Sequence, residues 1–390
     1  MISVAEALDR IFGLVSFLGT EDIPLRHASG RIATEEVAAR LSQPPFDASA
    51  MDGYAIAADT PVLGESFEVI GESAAGHRYD GSVGPGQAVR IFTGAPVPRG
   101  AVRVILQEEV SRRNLTITLD DLPRAGRHIR PAGGDFAKGQ SIAFDQPLRP
   151  VDLALVAAMG HGTIRVARRP EVAIIATGNE LVAPGDLPGP DQIVASNHLG
   201  LAAMVERSGG IARLLPIASD NEASLAATFD LARGCDLIVT IGGASVGDHD
   251  LVGKVAADRG MERSFYKVAM RPGKPLMAGR LDGIPMIGLP GNPVSSLVCG
   301  EVFVRPALEV MLGRPARPAP RAQARLAHDL AANGPREHYM RATLDANGIR
   351  VADSQDSAML GILTRSNALL VREPNEGPHR AGDIVNFIAI

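Results

Sequence analysis

The chain has no tryptophan, and aromatic residues make up only 4% of its 390 positions. Its cores must therefore be built from Val, Ile, Leu and Ala, which a hydrophobic content of 45% supplies. Cysteine is almost absent as well. Cys235 and Cys299 are the only two and have no CxxC spacing, which excludes a zinc site and a disulfide framework and predicts two reduced, partly buried thiols. No apolar run approaches the roughly 20 residues that a membrane-spanning helix needs. The start, MISVAEALDR, does not read as a signal peptide, so a cytoplasmic location without membrane contact is expected. A basic excess is missing too: 39 Lys and Arg stand against 44 Asp and Glu, a formal charge of -5. Nucleic acid is therefore not expected as a partner, because duplex binding needs a basic face. A local cluster such as Lys267, Arg271 and Lys274 still permits an anionic small ligand.

The length predicts two to four domains, and no internal repeat or low-complexity tract is present. Ser3 and Glu6 form a capping-box pattern, followed by Val4, Leu8, Ile11 and Val15 at helical spacing, so an amphipathic first helix is expected. From about residue 40, short alternating stretches such as Ala88 to Phe92 and Val102 to Gln107 are punctuated by Gly and Pro and read as strands. Residues 40–138 thus predict a β-rich insert. Residues 1–39 plus 139–169 are expected to form one split linker domain with a helix on each flank. Beyond Pro170 the pattern becomes βαβ: strands at Val172 to Ala176, Ala212 to Ile217, Leu237 to Ile241 and Pro285 to Leu289 alternate with helices at Leu199 to Ser208, Glu222 to Arg233 and Asp248 to Arg259. A longer helix starts near Pro293, where proline suits the first turn. Residues 170–314 therefore predict an α/β domain with a mostly parallel sheet covered on both faces. The proline-rich stretch Arg314 to Pro320 reads as a stiff linker. Residues 315–390 after it predict a small β domain, barrel or sandwich, with strands at Ala322 to Leu326, Tyr339 to Leu344, Leu369 to Arg372 and Asp383 to Ile390.

Four segments carry the chemistry: TGNEL (Thr177 to Leu181), GGASVGDHD (Gly242 to Asp250), RPGKP (Arg271 to Pro275) and LPGNPVSS (Leu289 to Ser296). Each adjoins a short apolar run, which places it at a strand end, where open α/β sheets bind ligands. The G-x-G-x-x-G spacing is absent, and Lys274 precedes Pro275 instead of Ser or Thr, so dinucleotide and P-loop readings fail. What remains is a backbone cradle for a phosphorylated or otherwise anionic small molecule. Glu180, Asp220 and Asp250 fall just past strand ends on one predicted edge. A single loop carboxylate is usually solvated or caps a helix; Asp220 and Asp248 could both be N-caps. Three converging carboxylates fit Mg²⁺, which one or two carboxylates hold while it bridges substrate phosphates. Arg271, Lys274 and Ser295 offer cations and a hydroxyl suited to a tetrahedral dianion. His27, His161 and His198 show no metal-ligand spacing and are expected to pack or face solvent.

These four segments, together with PPFDASAMDGYA (Pro44 to Ala55) and FTGAPVPRGA (Phe92 to Ala101), closely resemble the molybdopterin molybdenumtransferase family, whose eukaryotic relatives include the E domain of gephyrin. The resemblance spans essentially the whole chain. It implies a multidomain α/β fold whose 170–314 region is a molybdopterin-binding domain, with 40–138 as a lid and a small C-terminal β-barrel. It implies a homodimer that inserts molybdenum from molybdate into adenylylated molybdopterin, with Mg²⁺-dependent release of AMP, and with the upstream adenylyltransferase and apo-molybdoenzymes as further partners. It implies catalytic roles for Asp52, Glu180, Asp220 and Asp250, the last three also as metal ligands. Substrate contacts fall on Thr93, Asp135, Thr177, Gly242, Gly243, Ser245, Pro290, Gly291, Asn292 and Pro293. Molybdate contacts fall on Arg271, Lys274, Ser295 and Arg341. Taken alone, Asp52 in an Asp-Gly pair is only a turn residue; its role comes from the resemblance. Family members commonly have Lys where this chain has Arg271, which replaces a point charge with a fork. Two other functions share parts of this pattern: a scaffold role of the gephyrin E-domain type, and a molybdopterin adenylyltransferase, whose single-domain size and lack of the MDGYA region set it apart.

Overall fold

The computed structural model describes residues 1–123, 125–243 and 251–390. Two compact units are present, one of residues 1–21 with 167–390 and the other of residues 22–166.

The larger unit is built on a six-stranded sheet in the order Ile211–Leu214, Glu171–Ala176, Leu237–Ile241, Ile284–Leu289, Met277–Leu281, Glu262–Tyr266. The first four strands run parallel, in the register Val172 opposite Leu237 and Ile238 opposite Met286. All five residues of Leu237–Ile241 are buried, as a strand covered on both faces requires. One side packs Val172, Ile174, Val239 and Ile287 against the helices Asn197–Arg207 and Pro293–Cys299; the other packs Ala173, Ile175 and Ile238 against Glu222–Leu231 and Leu251–Asp258. The helix from Pro293 continues through a π-helical turn, Gly300–Val304, into Arg305–Met311.

The fold is thus α/β and multidomain, with a mostly parallel sheet, and four details depart from the sequence expectation. Glu262–Tyr266 and Met277–Leu281 add two antiparallel strands at one edge. The strand expected over Ala212 to Ile217 is Ile211–Leu214; beyond it Leu215 N–H donates to the Ile174 carbonyl and Ala218 N–H to the Ala176 carbonyl, which keeps the segment leading to Asp220 pinned to the neighbouring strand. The first helix, Val4–Phe12, capped by the Ser3 hydroxyl as expected, buries Val4, Ala7, Leu8 and Ile11 in the same core as Val268, Phe303 and Met311. Residues 1–21 therefore go with the α/β unit and not with segment 139–169. Finally, Met270–Arg271 pairs in parallel with Glu337–Asp345 and so joins the C-terminal sheet.

That C-terminal sheet runs Met270–Arg271, Glu337–Asp345, Ala368–Arg372, Ile384–Ala389, Ala322–Arg325, with Gly348–Val351 on the other side of Glu337–Asp345. A bridge from Leu326 to Ile349 closes the ring into a small barrel around Leu326, Ala342, Ile349, Leu370 and Phe387.

The smaller unit holds a second six-stranded sheet, in the order Arg103–Leu106, Gly53–Ile56, Gln87–Ile91, Ser66–Ser73, Thr116–Leu119, Val110–Arg113. Gly53 sits where no side chain fits: a Cβ there would run into the Ile105 carbonyl oxygen. A separate core in this unit joins Ala28, Val37 and Ala39 to Phe136, Leu148, Val156 and Val166, with the helix Pro150–Ala158 on it.

Candidate active site

The parallel strands of the large unit end in loops that are fastened to one another. Beyond Glu171–Ala176, the Thr177 N–H donates to the Ile241 carbonyl at 3.1 Å, and Gly242 N–H donates to the Leu289 carbonyl at 3.1 Å. Strand pairing thus persists one residue into each loop. Gly242 and Gly243 then take φ of 93° and 64°, the left-handed region that costs an L-residue about 1–2 kcal/mol. A Cβ on Gly242 would also press on the Thr177 carbonyl, and one on Gly243 would overlap Val252. The two glycines are required by the backbone path at the strand end.

These loops surround a cavity of about 840 Å³. Thr177, Gly178 and Glu180 line it from one strand, Asp220 from the next, Gly242 and Gly243 from the centre, and Pro290, Gly291, Asn292 and Pro293 from the fourth. The structure therefore brings together nine positions named from the sequence for substrate binding or catalysis: Thr177, Glu180, Asp220, Gly242, Gly243, Pro290, Gly291, Asn292 and Pro293. Glu180 and Asp220 are both exposed. Asp220 and Asn179 exchange hydrogen bonds: the Asp220 carboxylate accepts from Asn179 N–H at 3.2 Å, and the Asn179 side-chain oxygen accepts from Asp220 N–H at 2.9 Å. Asp220 is not a helix cap; Asn221 caps Glu222–Leu231 by accepting from Ser224 N–H.

Ser245 and Asp250, together with Asp248, lie outside the described residues. Ser295 is described and is 4% exposed in the first turn of the helix from Pro293, and it does not line the cavity. Arg271 and Lys274 are exposed on either side of the Pro272–Gly273 turn, next to Pro275, which does line the cavity. Arg341 is 1% exposed; its guanidinium donates to the Asp356 and Met359 carbonyls at 2.8 and 3.3 Å, and its N–H donates to the Gln355 side chain at 2.9 Å. Burial holds its pKa below the usual guanidinium value. Arg341 thereby fastens the loop that carries Ser357 and Ala358. Ser357 in turn accepts from the Asn292 side chain at 2.9 Å and from Val294 N–H at 3.1 Å, and Ala358 lines the cavity.

Sequence reasoning missed one wall. Ser196, Asn197 and His198, at the start of the helix Asn197–Arg207, also line the cavity, and the Asn197 side chain donates to the Gly291 carbonyl at 2.7 Å. A polar Ser-Asn pair between a β-branched run and a helix was the available signal. His198 has a pKa lowered by burial, and its Nδ1 is buried without a partner among the described residues.

In the smaller unit, Asp52 and Thr93 meet directly. The Asp52 carboxylate accepts from both the Thr93 N–H and its hydroxyl, each at 2.7 Å, and these bonds hold its pKa below the usual carboxylate range. Both line a concavity of about 660 Å³ shared with Gln107, Glu108 and Glu109. Nearby, Arg90 lies between the rings of Tyr54 and Phe92 and donates to the Gln107 side chain. Asp135 is exposed on another loop, held through its N–H by the Gln43 carbonyl, and does not line that concavity.

Among the described residues, no three His, Cys, Asp or Glu side chains converge to cage a cation. Two exposed carboxylates on one cavity wall do fit Mg²⁺, which leaves most of its shell to water and substrate phosphates.

Fold and cavity define a multidomain α/β protein with a ligand site at the carboxyl ends of its parallel strands. Residues 2–160 match the family model of the MoeA N-terminal region (domains I and II), 173–310 that of a probable molybdopterin-binding domain, and 323–390 that of the MoeA C-terminal region (domain IV). Molybdopterin molybdenumtransferase 2 of Mycobacterium tuberculosis is 38% identical over 83% of both chains. The molybdopterin molybdenumtransferase of Haemophilus influenzae is 32% identical over 99% of this chain and 98% of its own. A crystal structure of the molybdopterin biosynthesis MoeA protein from Pyrococcus horikoshii superposes with a TM-score of 0.85 at 29% identity, covering 100% of this chain and 99% of that one. The chain belongs to the MoeA family of molybdopterin molybdenumtransferases.

Proposed function

We propose that this protein is a transferase that inserts molybdenum from molybdate into adenylylated molybdopterin, releasing AMP and leaving molybdenum cofactor. The observation that carries the reading is the cavity where Thr177, Glu180, Asp220, Gly242 and Pro290 to Pro293 converge. Its glycine backbone can approach a pyrophosphate, and its polar rim can orient the remainder of a large anionic ligand. Glu180 and Asp220, together with Asp250, would hold Mg²⁺. When bound, that ion would neutralise the pyrophosphate and ease cleavage of the phosphoanhydride. Arg271 and Lys274 hold molybdate beside the cavity, and Ser295 and Arg341 serve it from behind, Arg341 by fixing the Ser357 loop.

The active form is a homodimer in the cytoplasm, and Asp52 of one subunit, ionised and held by Thr93, completes the site of its partner. The chain is organised as four domains, with the 40–138 insert as the lid. The upstream adenylyltransferase would supply the substrate and apo-molybdoenzymes would take the product.

The test is AMP release and cofactor formation by the purified full-length chain, given adenylylated molybdopterin, Mg²⁺ and a range of molybdate concentrations. Molybdate-dependent AMP release is expected, together with rescue of molybdoenzyme activity at low molybdate in a strain lacking its own transferase. Failure of both would overturn the reading.

A further inference from the structure

The strand Glu337–Asp345 carries His338 between two arginines. Its Cα partner on one side is Arg271 and on the other Arg372. Partners on adjacent strands project from the same face about 5 Å apart, so the three side chains form a row across the sheet. Arg336 stands two residues before His338, just ahead of the strand, and its charge is among those acting on the imidazole.

These cations differ in what engages them. Arg372 is 2% exposed and occupied by the Glu376 carboxylate and the Ala331 and Gly377 carbonyls. The side chains of Arg271, Arg336 and Lys274 make no hydrogen bond or ion pair among the described residues. His338, 7% exposed, makes none either. Burial, and then the charges of Arg271, Arg336, Arg372 and Arg341, push its pKa down to about 4. Of these cations Arg372 is paired with the Glu376 carboxylate, whereas Arg271 and Arg336 have no carboxylate partner among the described residues. At neutral pH the imidazole is therefore uncharged, with one ring N–H to donate, close to Arg271 and Arg336, whose side chains are unpaired among the described residues. Two uncommitted guanidinium groups, an ammonium and a neutral donor match a tetrahedral dianion, which accepts hydrogen bonds at every oxygen.

We propose that His338 donates a hydrogen bond directly to the oxyanion held by Arg271 and Lys274, with Arg336 as the second uncommitted guanidinium of the same site. This rests on the molybdate placement above. It adds two residues to the site and makes one of its contacts depend on an uncharged donor.

The experiment is titration of the full-length protein with sodium molybdate at pH 7.5, followed by calorimetry and by ¹⁵N–¹H spectra of the histidine rings. His338 is assigned among the nine histidines by its loss in His338→Gln. In the wild type, molybdate should shift the ring signals of His338. His338→Leu should raise the molybdate Kd roughly tenfold, about 1.4 kcal/mol, while His338→Gln, which keeps an N–H donor, should stay within about threefold. Arg336→Gln should weaken binding without altering the fold. Arg271→Ala and Lys274→Ala separate the two levels of the argument. If they weaken binding while the His338 signals stay fixed and His338→Leu binds as the wild type does, the inference about His338 is wrong and the molybdate placement stands. If they too bind molybdate normally, the placement itself fails. Equal shifts with sulfate at the same concentration would overturn the assignment to molybdate in favour of a general anion site.

Discussion

Lowering the pH from 7.5 to 5.0 should loosen the C-terminal sheet through one residue, His338. In the folded chain this imidazole titrates at about 4, whereas in the unfolded chain it titrates at roughly 6.5. Between these values the unfolded state binds the proton and the folded state does not, so stability rises with pH across that window. The contribution is complete above pH 6.5 and is lost as the pH falls towards 4. A separation of 2.5 pH units corresponds to about 3.4 kcal/mol in the limit, and at pH 5.0 about 2 kcal/mol of it is already gone. That is roughly a 30-fold change in an opening equilibrium. Native-state hydrogen exchange reads this directly, from peptides covering residues 337–345 and 368–372 after correction for intrinsic rates. His338→Gln cannot take up the proton, so it should lack this component of the pH slope while other groups titrate equally in both proteins. If wild type and variant lose protection in parallel between pH 7.5 and 5.0, within about threefold, the arginine-surrounded imidazole is not the titrating group.

Further outcomes follow from the cavity. Glu180→Ala and Asp250→Ala should leave folding intact, Glu180 being an exposed loop position, but lower Mg²⁺-dependent AMP release roughly 100-fold or more; wild-type rates from both variants would refute the metal assignment. Asp52→Ala and Glu180→Ala chains, each inactive alone, should recover about a quarter of wild-type activity when mixed at equal amounts, because half the dimers are mixed and each of those has one intact site. No recovery in dimers verified by mass would mean that Asp52 does not serve its partner. Arg341→Lys should expose the 354–359 loop to exchange and proteolysis, because one ammonium cannot reproduce the Asp356, Met359 and Gln355 contacts; an unchanged loop would contradict its fastening role. Ile11→Ala should destabilise the larger unit by about 2–5 kcal/mol, since Ile11 is fully buried there, and calorimetry should show the transition of the 22–166 unit unmoved.

Local signals in the sequence determined much of this protein. A helical or alternating period, a capping serine at Ser3, a proline at the first turn from Pro293 and glycines at 242 and 243 act within a few residues, so sequence alone displays them. They placed the four parallel strands and the loops at their ends, and those loops proved to line one cavity. Partner choice is different, because it depends on groups hundreds of positions apart. Nothing near Val4 or Ile11 says that they pack on Phe303 and Met311, and nothing near Met270 says that it joins a strand at Glu337. Asp220 and Asn221 are equally good caps by type; only the backbone path gives the cap to Asn221 and leaves Asp220 to exchange bonds with Asn179. His338 looks like any strand histidine in the sequence. Tertiary pairing brought Arg271 to one side of it and Arg372 to the other, and burial then decided its charge. Periodicity and turn chemistry are encoded locally, whereas burial and the electrostatic field at a site are sums over the whole folded chain.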